Sequence, residues 1–135
     1  MMTVEVVIPW TLAPGRTRTS VARIDFHVDT GADVTTIGRL IFTRDLGVPI
    51  HVAEPGLPTI GIGASLESLV MPGFLFFDRE DGSRSARDIE FVIPLVENDA
   101  QAELCVLGLD VLLRGRSTLD RANVLFDLYV VQPVS

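Results

Sequence analysis

The chain has 135 residues, of which 47% are hydrophobic and 21% charged, a composition typical of one globular domain and not of a disordered segment. Its formal net charge of −7 disfavours nucleic acid and anionic membrane surfaces as partners, because both require concentrated positive charge. The single cysteine excludes an intrachain disulfide, and a domain of this size needs neither a disulfide nor a metal to hold together.

The predicted elements follow from short apolar runs that alternate or cluster between Gly, Pro and Asp, a pattern that favours a mainly β fold. In chain order we predict strands at 3–10 and 20–28, a helical segment at 39–46, a hairpin at 58–71 extended by 74–77, a polar loop at 78–88, a strand at 89–96, a polar loop at 97–103, a buried strand at 104–107, a helix starting at 109–113, and closing strands at 117–119 and 124–131. No repeat, linker or low-complexity segment divides the chain, so residues 1–135 are predicted to form one domain with one or two short helices.

The N-terminus lacks a basic segment followed by a long apolar core, and no apolar run approaches the ~18 residues that span a bilayer. We therefore expect a cytoplasmic protein. Membrane association through a longer parent chain is left open.

The segment most informative about chemistry is Asp29-Thr30-Gly31, which directly follows the predicted strand ending at Val28. The aspartate places a carboxylate at a strand end, and the glycine lets the backbone turn sharply and approach a substrate closely. The threonine hydroxyl can brace the loop through a local hydrogen bond. The motif is therefore a candidate catalytic loop.

One carboxylate is not sufficient for peptide hydrolysis, which needs an ionised group to activate water and a protonated group to polarise the carbonyl. Two carboxylates about 3 Å apart share one proton and so take these two roles. No second Asp-Thr-Gly or Asp-Ser-Gly occurs, and Asp81-Gly82-Ser83 has the wrong order. The second carboxylate must then come from a second copy of the chain, across a two-fold axis. The expected partners are the chain itself and a peptide or protein substrate, with no cofactor, metal or nucleic acid.

The run at 29–35, Asp-Thr-Gly-Ala-Asp-Val-Thr, resembles the active-site signature of retroviral-type (retropepsin-like) aspartic proteases and their bacterial relatives. The run at 105–112, Cys-Val-Leu-Gly-Leu-Asp-Val-Leu, is similar to that family's second hallmark, which threads under the active-site loop. A glycine-bearing hairpin lies between them, where the family places its flap, and the resemblance covers roughly 21–130. It implies a small closed barrel-like acid-protease domain that is active as a two-fold dimer and hydrolyses peptide bonds.

The resemblance also implies a role for individual positions. Asp29, Thr30 and Gly31 match the catalytic loop, and the Thr30 hydroxyl would hydrogen-bond across the dimer axis. The residues implied in substrate binding are Ala32 and Asp33 in the loop and Ile60, Gly61, Ile62, Gly63 and Ala64 in the flap. Leu107 and Gly108 match the support beneath the loop, and the terminal strands at 3–10 and 124–131 are expected among the dimer contacts.

Two positions depart from related patterns. Leu109 stands where viral enzymes place an arginine that pairs with the aspartate matching Asp33, so that pairing is either absent or supplied by another arginine. Ala32 replaces the serine of pepsin-like enzymes and cannot donate a hydrogen bond to the carboxylate, which predicts work at a less acidic pH.

Simpler interpretations remain open at this stage. Asp-Thr-Gly occurs in ordinary turns, and Gly61 and Gly63 can be simple hairpin residues. Cys105, among apolar neighbours, is expected to be a buried thiol and not a nucleophile. The alternative function is a non-catalytic protein-binding or dimerisation module with the same fold.

Overall fold

The computed structural model describes residues 1–56, 59–61, 64–79, 81–112, 115–119 and 124–128, with side chains at 1–56, 67–79 and 81–111. The chain is mainly β, with a strongly curled mixed sheet that forms a half-barrel and only short helices. The strands are β1 (Met2–Ala13), β2 (Arg16–Val28), β3 (Glu54–Pro55), β4 (Thr59–Gly61), β5 (Ala64–Leu66), β6 (Ser68–Asp78), β7 (Arg84–Pro94), β8 (Val106–Leu107), β9 (Gly115–Leu119) and β10 (Val124–Leu128). The helical segments are a π-helical turn (Ile41–Asp45), a 3-10 turn (Ile50–Val52), α1 (Asp99–Ala102) and α2 (Leu109–Leu112).

The first two strands form a long antiparallel hairpin, which confirms the predicted strands at 3–10 and 20–28 and extends both. Their apolar residues alternate as a half-buried strand requires, and Ile24 and Phe26 are buried while Arg23 and Asp25 are exposed. Gly15 closes the turn with a φ of 81°, a conformation that glycine adopts without steric cost.

The curled sheet has the order β3–β6–β1–β2–β8, with β7 paired to the other side of β6. All of these pairs are antiparallel except β2 with β8. Outside the named strands, Thr36 forms isolated bridges to Val92 of β7 and to Val106 of β8. The sheet thus curls around one core, whose largest fully buried side chains are Phe26, Phe42, Phe91, Ile8, Ile37, Leu75, Ile93, Leu107, Val4, Val6, Val48 and Val111.

The predicted polar loop at 78–88 is wrong in extent, because β7 begins at Arg84 and not at 89. Charged residues occupy its solvent face while Ser85 faces inward, so high polarity did not prevent strand formation. Arg84 is held across the sheet by Glu5 at 2.9 Å and Asp78 at 3.4 Å. Only a tight turn remains between the strands, with Gly82 at a φ of 84°.

The predicted polar loop at 97–103 contains the short helix α1 and is also corrected. The Asn98 side chain caps it by accepting the amides of Ala100 and Gln101, a role for which asparagine is well suited. The helical prediction at 39–46 is confirmed in shortened form, ending before Gly47 at a φ of 66°.

The predicted closing strands correspond to β9 and β10, which pair with each other. The predicted extension to 131 and the helix position 113 lie outside the described residues. Among the residues described, no helix is both long and apolar enough to cross a membrane.

Candidate active-site loop

The candidate catalytic carboxylate lies at the end of β2, where the strand leaves the core. The Asp29 amide still donates to the Leu107 carbonyl at 3.1 Å, so the backbone remains anchored to β8 one residue beyond the strand. The side chain is exposed, and one carboxylate oxygen accepts the Gly31 amide at 2.8 Å. Within the described residues the second oxygen has no hydrogen bond, so it is available to water or a ligand.

The loop itself is a tight turn, because the Ala32 amide donates back to the Asp29 carbonyl at 3.2 Å. A Cβ on Gly31 would lie 3.2 Å from the Asp29 carboxylate, closer than an ordinary contact. Thr30 and Gly31 are exposed and Ala32 is half-buried. The three residues predicted to be catalytic therefore present a continuous accessible surface at the strand end.

After the loop, the chain crosses between β7 and β8. The Thr36 amide and carbonyl bond to Val106 at 2.9 and 3.0 Å, and the Ile37 amide donates to the Val92 carbonyl at 2.9 Å. The Val92 amide in turn donates to the Thr35 carbonyl at 3.1 Å. Both ends of the loop are thus fixed to neighbouring strands.

A polar network that was not predicted from the sequence lies beneath the loop. Thr35 is fully buried, and its amide and hydroxyl donate to the two carboxylate oxygens of Asp110 at 3.1 and 2.8 Å. The Thr35 hydroxyl oxygen accepts the Gly108 amide at 3.1 Å. The available sequence signal was Asp110 standing alone between Leu109 and Val111, since a polar residue in an apolar run needs a partner.

The start of α2 is locked against the loop in the same way. The amides of Leu109 and Asp110 donate to the carbonyls of Ala32 and Asp33 at 2.7 and 3.2 Å. A Cβ on Gly108 would lie 2.4 Å from the Val34 carbonyl oxygen, so only glycine fits there. The predicted support residues Leu107 and Gly108 are therefore placed directly under the loop, and Leu107 is fully buried.

The Asp33 side chain is exposed and makes no ion pair or hydrogen bond among the described residues. Leu109, which replaces the arginine of viral enzymes, contacts this loop through its backbone amide. The sequence left open whether the pairing with Asp33 is absent or is supplied by another arginine. In the described part of the chain, no arginine pairs with Asp33.

The flap candidates are brought together only in part. Ile60 pairs with Ser65, and Gly61 pairs with Ala64, in the β4–β5 hairpin. Ile62 and Gly63 lie outside the described residues, as do the side chains at 57–66.

Cys105 is buried immediately before β8, and its sulfur accepts the Gly38 amide at 3.4 Å. Burial raises the pKa of this thiol to about 11, which keeps it protonated at neutral pH and unsuited to nucleophilic attack. No group of three or more potential metal ligands is present among the described residues.

No protein-family model, no curated protein and no solved structure matches this chain.

Proposed function

We propose that this chain is one subunit of a homodimeric aspartic endopeptidase, with Asp29 as its catalytic carboxylate. The observation that carries the proposal is the position of Asp29, exposed at the end of β2 on a loop whose backbone is fixed by β7, β8 and the start of α2. A carboxylate that must align with a second one within a few tenths of an ångström needs such a fixed backbone.

In the proposed reaction, a water molecule lies between Asp29 and Asp29 of the second subunit. The ionised carboxylate takes a proton from the water as the water oxygen attacks the peptide carbonyl carbon, while the protonated carboxyl group donates its proton to the carbonyl oxygen. The tetrahedral intermediate then collapses, the C–N bond breaks, and a carboxyl proton passes to the leaving nitrogen. The reaction uses no cofactor and forms no covalent intermediate.

The proposed architecture is a small closed barrel-like domain paired about a two-fold axis through the active site. The bridges of Thr36 to both β7 and β8 support closure, because they connect the two flanks of the curled sheet. For the dimer contact, β1 is already paired on both sides at 5–7, to β2 and to β6. The β9–β10 hairpin is therefore the more favourable of the two terminal segments, since its described strands pair only with each other.

The test is cleavage of a peptide library across a range of pH by the purified protein, beside the Asp29→Asn variant. The chain offers a closely matched control in Asp81→Asn, because Asp81 makes the same 2.8 Å bond to the amide two residues on. We expect pepstatin-sensitive cleavage that is lost in Asp29→Asn and unchanged in Asp81→Asn. A dimeric protein that cleaves nothing would instead favour the non-catalytic binding or dimerisation module.

A further inference from the structure

The seam between β1 and β6 ends abruptly, and two prolines explain why. The two strands pair at three positions, from Glu5–Phe76 to Val7–Phe74. Continuing that register by two residues places Pro9 directly opposite Pro72. Proline has no amide hydrogen and cannot donate to a sheet ladder.

The hydrogen-bonding direction makes this pair especially unfavourable. The amides of His27 and Asp29 donate away from β1, to the carbonyls of Cys105 and Leu107, so the backbone N–H and C=O groups of odd-numbered residues in β2 point toward β8. The backbone groups of even-numbered residues in β1 and β2 therefore bond to each other. Those of odd-numbered residues in β1 point toward β6. Pro9 and Pro72 would have to exchange two hydrogen bonds, and neither has the donor. The ladder ends at Val7 and Phe74 for this reason.

At the two prolines, where the β1–β6 ladder ends, lies a cleft of about 420 Å³. Its lining consists of Pro9, Pro72, Gly73, Phe74, Asp88, Ile89 and Glu90. β6 continues past the opening by pairing with β3 instead of β1. A Cβ on Gly73 would lie 2.8 Å from the Phe91 ring and 2.9 Å from the Val7 carbonyl oxygen, so the floor is closely packed.

Two carboxylates stand at one wall of this apolar cleft. Asp88 is the cross-strand neighbour of Phe74, and Glu90 is the cross-strand neighbour of Pro72. They lie two residues apart on the same face of β7, a spacing of roughly 7 Å. Both are exposed, and neither has a salt bridge among the described residues. The wall is therefore negative and uncompensated, above a surface of prolines and an aromatic ring.

We propose that this cleft binds an arginine side chain of an extended peptide segment from a partner protein. The aliphatic stem would lie on the two prolines and the Phe74 ring, and the guanidinium would lie between Asp88 and Glu90. Arginine matches both parts of the surface, because its stem is apolar and its planar head stacks on rings and bonds carboxylates bidentately. The acidic net charge of −7 also favours association with a basic segment.

The inference does not depend on the proposed peptidase activity, so the test uses the Asp29→Asn protein, in which no cleavage competes with binding. The probe is N-acetyl-Val-Arg-Val-amide, compared with N-acetyl-Val-Gln-Val-amide, and the readout is the movement of backbone amide resonances on titration. We expect the arginine peptide to shift the amides of Gly73, Phe74 and Ile89 and to bind about tenfold more tightly than the glutamine peptide.

The variants separate local from overall charge. Asp88→Asn combined with Glu90→Gln is expected to abolish the preference for arginine. Glu67→Gln combined with Glu97→Gln, which changes the net charge equally at exposed positions outside the cleft lining, is expected to retain it. Equal binding of the two peptides, or an equal loss in both double variants, would overturn the proposal. So would shifts confined to the amides of Gly73, Phe74 and Ile89 on concentrating the protein alone, since the cleft would then be occupied by a second copy.

Discussion

Two exposed aspartates in this molecule make the same local side-chain hydrogen bond. Asp29 accepts the Gly31 amide at 2.8 Å, and Asp81 accepts the Ser83 amide at 2.8 Å. The Asp81 carboxylate also accepts the Ser83 hydroxyl at 2.5 Å, and these bonds lower the pKa of that carboxyl group below its ordinary value. In the bond from the carboxylate to the amide two residues on, the two segments are alike.

Their surroundings differ completely. The Asp81 turn connects β6 and β7 at the tip of a hairpin, and Gly82 has no atom within 4 Å of a Cβ placed on it. The loop at Asp29 is fixed by β8, by the start of α2 and by the Thr35–Asp110 network. A side chain placed on Gly108 has no space at all. Tertiary support, and not the shared side-chain hydrogen bond, therefore distinguishes the candidate catalytic aspartate from the one at the hairpin tip.

The largest expected effect is that of Gly108→Ala. Its Cβ would lie within 2.4–2.8 Å of the Val34 backbone, which cannot move without displacing the loop, so we expect a loss of about 3 kcal/mol in the free energy of unfolding. The matched change Gly82→Ala meets no atoms and carries only the strain of its positive φ, about 1 kcal/mol. Urea unfolding at one fixed protein concentration checks both values. Equal losses would contradict the contrast between the two turns.

Removal of the Asp110 carboxylate comes next. Asp110→Ala leaves the Thr35 amide and hydroxyl without their acceptor in a buried site, which should cost about 2 kcal/mol of stability. Asp110→Asn keeps one acceptor oxygen and should cost less. The measurement is the urea midpoint of each variant together with cleavage activity, which should fall even where the protein stays folded. Full activity in folded Asp110→Ala would show that the network does not position the loop.

The buried thiol beneath the loop provides a smaller test. Cys105 is 1% exposed and has a pKa of about 11, so it should react with a thiol reagent at pH 8 only after unfolding. The pKa of this thiol is raised above its ordinary value of 9.0, because burial disfavours the thiolate. The stability that the buried, protonated thiol contributes is therefore present below pH 9 and is lost as the pH rises through about 11. Rapid labelling of the folded protein would indicate that the segment at 35–38, which covers Cys105 and crosses between β7 and β8, opens readily.

The smallest expected effect is that of Asp81→Asn. An asparagine side chain still accepts the Ser83 amide at this exposed turn, so neither the thermal midpoint nor activity should change measurably. Thermal unfolding followed by circular dichroism, with the cleavage assay, checks this. A marked loss of activity would mean that the exposed hairpin takes part in function.

Much of the fold could be predicted from the sequence because alternation reports directly on burial. The inward residues of β1 and β2 follow the period of two closely, and Gly15 and Gly47 mark the ends of their elements. The start of β7 could not be predicted in this way, since its inward positions Ser85 and Arg87 are polar and give no apolar alternation. The helix α1 was missed because its four residues are too few to show a period, although Asn98 was a usable capping signal.

The candidate site was predictable in its loop and in the supporting residues Leu107 and Gly108, but not in the polar network beneath the loop. Asp29, Thr30 and Gly31 are adjacent in sequence, so their chemistry is visible as a motif. Thr35 and Asp110 are 75 positions apart and meet only because the chain crosses between β7 and β8. The gap at Pro9 and Pro72 depends similarly on a register between distant strands, which no local pattern contains.

The most direct test of the central claim is a subunit-mixing experiment with wild-type and Asp29→Asn protein at constant total concentration. If each active site requires one Asp29 from each of two subunits, mixed dimers are inactive, and an equal mixture should retain about one quarter of the wild-type activity. Mixing wild type with Asp81→Asn should leave activity unchanged. Retention of about half the activity, in proportion to the wild-type fraction, would show that one chain acts alone and would contradict the shared dyad.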